Sequence, residues 1–186
     1  MPHSKRPLYF MVKPPAAVGE FIASHTRASR ARPSYLLHMT IQPVWDRLRS
    51  PPELIPFLLQ IAATIDAPPF RVIFDRLVES RKTVALHGSE PMQGAEAFHA
   101  ALVSTMGRYH MPIPAHRFVP HITIAYRPDG LGDEPIDPIS WRVEEFMLVE
   151  SVVGQTRHIE HGRWTLGELS PDRSARGKLR PDPLRP

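Results

Sequence analysis

Two short segments of this 186-residue chain carry the same pattern, His38-Met39-Thr40 and His121-Ile122-Thr123. In a β-strand, residues i and i+2 project from one face, so each segment sets an imidazole beside a hydroxyl while the middle residue points into the core. If the two strands meet, their polar faces form a groove with two imidazoles and two hydroxyl donors, which suits a phosphate. Cleaving a phosphodiester needs a base to take the proton of the attacking water and an acid to protonate the leaving oxygen. A histidine pair poised near neutral pH supplies both. Thr40 and Thr123 would then stabilise charge building on the phosphoryl oxygens, and no metal is required. A ribose 2′,3′-cyclic phosphate fits, because its strained ring opens by this in-line route.

The pairing carries the signal. With 10 His and 8 Thr in the chain, roughly 0.4 His-x-Thr matches are expected by chance, and both copies stand in segments that alternate apolar and polar. Taken alone, each histidine would read as a satisfied side chain on a solvated strand face. His158 and His161, in His-Ile-Glu-His, have a spacing that touches on metal ligation, but without a helical His-Glu-x-x-His pattern no metal site is expected. His87, His99, His110 and His116 fit no pattern. Tyr9 or Phe10 could stack on a base or pack in the core, and Lys13 reads as a solvated lysine. No glycine-rich phosphate loop occurs, which argues against ATP-driven or dinucleotide chemistry and leaves no cofactor expected.

Composition narrows the setting. Cysteine is absent, which removes disulfides, thiol nucleophiles and thiolate-bound metal. No apolar run approaches the ~18–20 residues needed to span a bilayer, and the amino terminus lacks a signal-peptide core. A cytoplasmic protein without membrane contact is expected, working as a monomer with no obligate protein partner. The net charge of +4 is concentrated at the ends: residues 1–32 carry six Lys/Arg against one Glu, and residues 171–186 five against two Asp. Arg27, Arg30 and Arg32 form the best cluster for a polyanion, or else a solvated helix face.

The elements that must position the motifs follow from periodicity. Residues 8–12 form an apolar run ended by Pro14-Pro15, a buried strand. Val18, Phe21 and Ile22 recur at helical spacing over residues 16–30. Residues 35–42 alternate, with Leu37, Met39 and Ile41 opposite His38 and Thr40. A helix over residues 53–65 tolerates Pro56 in its first turn. Strands are expected at 70–78 and 83–86, joined by a polar turn. A helix from 92 to 108 offers Phe98, Ala101, Leu102 and Thr105 to the core, and an alternating strand spans 118–126. A Gly/Asp/Pro loop over 128–138 precedes strands at 143–153 and near Trp164. The order strand, helix, His-x-Thr strand occurs twice, over 8–41 and 83–125, so an α+β fold of two similar lobes is expected within one domain of residues 1–169. The Pro-, Arg- and Asp-rich segment 170–186 is expected to be a disordered tail.

These residues resemble the 2H phosphoesterase superfamily, named for two His-x-Thr/Ser motifs, and within it the bacterial 2′-5′ RNA ligase or RNA 2′,3′-cyclic phosphodiesterase branch. The likeness spans about residues 7–167 and rests on the opening Leu-Tyr-Phe-Met-Val-Lys-Pro-Pro, on Leu-His-Met-Thr-Ile and on Phe-Val-Pro-His-Ile-Thr-Ile-Ala. It implies a bilobal fold with antiparallel sheets facing a central groove, catalytic His38 and His121, and phosphate-contacting Thr40 and Thr123. In that branch an arginine often stands five residues after the second histidine. Here Tyr126 stands there and Arg127 follows, either to bind phosphate or to lie on the surface. The partner implied is an RNA end or a cyclic nucleotide, hydrolysed or, in the reverse sense, joined through a 2′-5′ linkage. A noncatalytic RNA- or nucleotide-binding module with the same groove is the second reading, but binding alone would not need two titratable groups.

Overall fold

The computed structural model describes residues 5–26, 31–46, 50–126 and 132–167. The elements run β1 (Leu8–Val12), α1 (Ala16–His25), a 3₁₀ turn (Ser34–Leu36), β2 (Met39–Trp45), α2 (Leu54–Ala62), β3 (Phe70–Glu79), β4 (Thr83–His87), α3 (Gln93–Arg108), β5 (His121–Tyr126), β6 (Glu134–Val143), β7 (Glu145–Val152) and β8 (Arg157–Thr165). They build two four-stranded sheets, ordered β2-β1-β7-β8 and β5-β4-β3-β6, with every pairing antiparallel. The expected α+β fold of two similar lobes is what the chain adopts.

The repeat is closer than element order alone conveys. β1, α1 and β2 in one lobe match β4, α3 and β5 in the other, and each His-x-Thr strand is the edge strand beside the opening strand of its unit. Even the irregularity recurs. Between Phe10↔Gln42 and Met11↔Thr40 the ladder skips Ile41, and between Val84↔Ala125 and Ala85↔Thr123 it skips Ile124. Each strand thus carries one extra residue immediately after its threonine, a bulge that bends the strand and re-aims the flanking side chains.

The alternation explains why these strands hold. Leu37, Met39 and Ile41 are buried, as are Ile122 and Ile124, leaving His38, Thr40, His121 and Thr123 on the opposite face. One apolar core joins the sheets. Phe98 of α3 reaches Phe146 of β7 at 5.1 Å between ring centroids, and Phe146 stacks on Trp164 at 5.2 Å. Burying each such ring contributes about 1.5–3 kcal/mol.

Several boundaries differ from the sequence reading. α1 stops at His25, where Thr26 turns extended at ψ 114°. Arg27 and Arg30 lie outside the described residues. Phe21 is exposed and stacks on His25 at 4.1 Å rather than packing inward. The strand expected from Tyr35 opens instead with a 3₁₀ turn after Pro33, so His38 sits one residue ahead of β2 in extended backbone. Similarly, β5 begins at His121, because Pro120 has no N–H to give a ladder. The expected loop over 128–138 is strand from Glu134 onward. Its Pro135 and Pro138 are tolerated because β6 is an edge strand, paired only with β3. The segment 168–186, and with it the expected tail, lies outside the described residues.

Candidate active site

Both lobes contribute to one cavity of about 220 Å³, lined by Tyr9, Arg32, His38, Thr40, His121, Thr123, Tyr126, Ser151 and His158. The two His-x-Thr motifs, 83 positions apart in sequence, therefore converge, and among the described residues no carboxylate lines the cavity. A larger cavity of about 550 Å³ lies between α1, β6 and Arg163. It is lined by charges of both signs and holds neither motif, so the smaller one is the better candidate for an anionic ligand.

The two imidazoles are held alike. His38 Nδ1 donates to the Leu36 carbonyl at 2.7 Å, and His121 Nδ1 donates to the Val119 carbonyl at 2.8 Å. In each case the acceptor is two residues upstream, and the bond fixes the tautomer. Nδ1 keeps its proton and Nε2 is left for the ligand. Each ring also faces a second imidazole. His158 meets His38 edge-on, with centroids 5.1 Å apart, and His87 lies nearly parallel to His121 at 5.4 Å.

Burial pushes the His38 pKa down to about 3, against the raising effect of its bond to Leu36, and Arg32, His158 and Lys13 lower it further. Burial likewise brings His158 to about 4, with Lys13 and Arg32 adding to the effect, and its Nδ1 is buried without a hydrogen-bond partner. His87 is lowered by burial and then by His121. At neutral pH, His38 is therefore uncharged in the free protein, with Nε2 unprotonated.

The other candidates separate cleanly. Tyr9 lines the cavity, and burial, then Tyr126 and Asp46, raise its pKa. Phe10 is fully buried against Phe146 and Trp164. Lys13 is not free in solvent: its Nζ donates to the Tyr35 carbonyl at 3.1 Å and it borders the larger cavity. His161 is engaged by Glu150 at 3.0 Å while His158 turns to His38, so the His-Ile-Glu-His pair does not converge. Among the described residues, no group of three or more His, Asp or Glu is placed to hold a metal ion. His99 stacks on Phe118 at 4.6 Å. Arg127 lies outside the described residues.

Arg32, Tyr126, Ser151 and His158 reach the cavity without any signal in the two motifs. Ser151 and His158 are direct partners on the β7–β8 ladder. That pairing brings them beside His38, and only knowledge of the strand order could have revealed it.

The model of the 2′-5′ RNA ligase superfamily matches residues 14–155. Comparison with curated protein sequences gives no match. Among solved structures, the chain is similar to E. coli LigT complexed with 3′-AMP, at 24% identity and a TM-score of 0.72 over 88% of this chain and 99% of that one. The ATP complex of the same protein aligns at 25% identity and a TM-score of 0.67, over 88% and 99%. TT0787 of Thermus thermophilus aligns at 21% and 0.64, over 87% and 98%. With its family match spanning both motifs and its two-lobed fold shared with these structures, the chain belongs to the 2′-5′ RNA ligase superfamily.

Proposed function

We propose that this protein is a metal-independent phosphoesterase that opens 2′,3′-cyclic phosphates of RNA ends or nucleotides by two-histidine acid–base catalysis. The observation that carries the reading is the matched pair of Nδ1-anchored imidazoles, His38 and His121, each beside a threonine in one cavity. His38, uncharged at neutral pH, acts as the base: its Nε2 takes the proton of a water whose oxygen attacks phosphorus. The bond from phosphorus to one ribose oxygen breaks, and His121 Nε2–H gives that oxygen its proton. Thr40 and Thr123 donate to the nonbridging oxygens as charge builds there. A ribose 5′-hydroxyl in place of water would yield a 2′-5′ linkage by the same transfers. Tyr9, half-buried in the lining, offers a ring against a base or ribose. Complexes of E. coli LigT with 3′-AMP, phosphate and ATP support a nucleotide phosphate as ligand.

The test is turnover of a 2′,3′-cyclic mononucleotide and of a cyclic-phosphate-ended oligonucleotide in excess chelator, with the product followed by phosphorus NMR. Ring opening in chelator is expected, and the two rates rank the substrates. No ring opening on either substrate, with phosphate still bound, would leave a noncatalytic nucleotide-binding module.

A further inference from the structure

One lining residue carries a full charge and belongs to neither motif. Arg32 follows α1 and precedes Pro33, which favours extended backbone at position 32. Its backbone N–H donates to the Ile124 carbonyl at 2.7 Å, and Ala31 bridges Ala125. The connection between α1 and β2 thus crosses to the other lobe and adds itself to the open edge of β5. This delivers the guanidinium to Tyr126, whose hydroxyl accepts from Nη1 and whose ring lies 5.0 Å from the guanidinium carbon. Nη2 donates at 3.1 Å to the Leu36 carbonyl, the same oxygen that holds His38 Nδ1 at 2.7 Å. One carbonyl therefore ties the guanidinium to the imidazole.

One N–H on each of Nη1 and Nη2 is left over for a ligand. A guanidinium has five N–H donors, of which two are used, and Nε is buried without a partner. Among the described residues no carboxylate pairs with Arg32. The positive fork is held from two sides, without a carboxylate to compensate it among the described residues, in a cavity lined by the hydroxyls of Tyr9, Thr40, Thr123, Tyr126 and Ser151 and the imidazoles of His38, His121 and His158. Such a setting is built for an oxyanion. Tyr126, 53% exposed, accepts from Arg32 and so keeps its own O–H to donate.

We propose that Arg32, clamped by Tyr126 and Leu36, is the phosphate-binding cation of this site, contacting the nonbridging oxygens from the opposite lobe to the motif that anchors it. This rests on the cyclic phosphodiesterase reading for the reaction, but not for the binding of phosphate. It assigns Tyr126 a positioning role at the place where an arginine often stands in similar chains.

Two readouts separate the inference from that reading: inorganic phosphate titrated by NMR, and ring opening of the cyclic mononucleotide. Arg32→Ala is expected to weaken phosphate binding at least tenfold and to lower kcat/KM by about 10²-fold. Added guanidinium ion, or the double variant Arg32→Ala with Tyr126→Arg, should restore part of the turnover, which a merely structural loss would not allow. Phosphate binding and turnover in Arg32→Ala within threefold of wild type would overturn the inference. So would losses that neither guanidinium nor the double variant repairs. If wild type binds phosphate through Arg32 yet opens no ring, the inference stands and the reaction falls. If wild type neither binds phosphate nor opens the ring, both fall.

Discussion

In the proposed mechanism His38 is the base, and its surroundings make a prediction about stability as well as rate. Its pKa falls from 6.5 to about 3 on folding because burial disfavours the imidazolium. Between those two values the unfolded chain binds more protons than the native one, so stability falls as pH drops from 6.5 towards 3. His38→Gln should therefore lose less stability than wild type on moving from about pH 7.5 to about pH 4.5 in urea denaturation, and an equal loss in both would refute the assignment. Thr40→Val and Thr123→Val each remove one hydroxyl from the cavity lining and should, on the proposed mechanism, lower kcat by about 10²- to 10³-fold, measured at saturating substrate with Tm as the control. Both motifs were legible in sequence because a period-2 pattern states which side chains share a face. Ser151 was not, and Arg32 and His158 were legible only as part of a basic cluster and of a histidine pair, since each enters the cavity through a strand pairing or a bridge between lobes that has no local signature.

At the scale of elements, the lobes are held by close approach of helix to sheet. Gly94, in the first turn of α3, faces Phe70 of β3, and a Cβ there would lie 2.5 Å from the Phe70 Cβ. Alanine normally gains about 1 kcal/mol over glycine inside a helix, but overpacking against a backbone-proximal atom costs about 1–3 kcal/mol. Gly94→Ala should thus shift the urea midpoint down, and a rise would show that α3 can move freely on β3. Helices α2 and α3 and the hairpin β3–β4 could be read from periodicity and turn residues. β6 could not, because Pro135, Pro138 and Asp137 resemble a loop until the strand is seen to be an edge with few donors required. The 3₁₀ turn at Ser34–Leu36 escaped for a related reason: the alternation of Leu37, Met39 and Ile41 continues through residues that are extended but not yet laddered.

For the molecule as a whole, the site exists only where two lobes meet, so their coupling is a functional quantity. Gln42, 1% exposed on β2, donates to the carbonyls of Pro43 at 2.8 Å and Pro114 at 3.2 Å, and accepts from His99 Nε2 of α3 at 3.0 Å. It ties the first His-x-Thr strand to the helix and the approach segment of the second. Gln42→Leu would strand the His99 N–H and the Pro114 carbonyl, lowering stability by about 1–3 kcal/mol and raising KM as the cavity walls lose their register. Urea denaturation and substrate-saturation curves check the two effects. Two similar lobes were readable from the repeated element order, but their contact was not. It depends on Phe98 meeting Phe146 and on the Ala31–Ala125 bridge, pairings between residues far apart in sequence.

The two-histidine mechanism is tested most directly by the pH dependence of kcat/KM for a 2′,3′-cyclic mononucleotide, in chelator, for wild type, His38→Gln and His121→Gln. A bell-shaped wild-type profile is predicted, with each substitution lowering the rate by about 10²- to 10⁴-fold and removing one limb of the bell. Retention of the wild-type rate and profile by either variant would contradict the account.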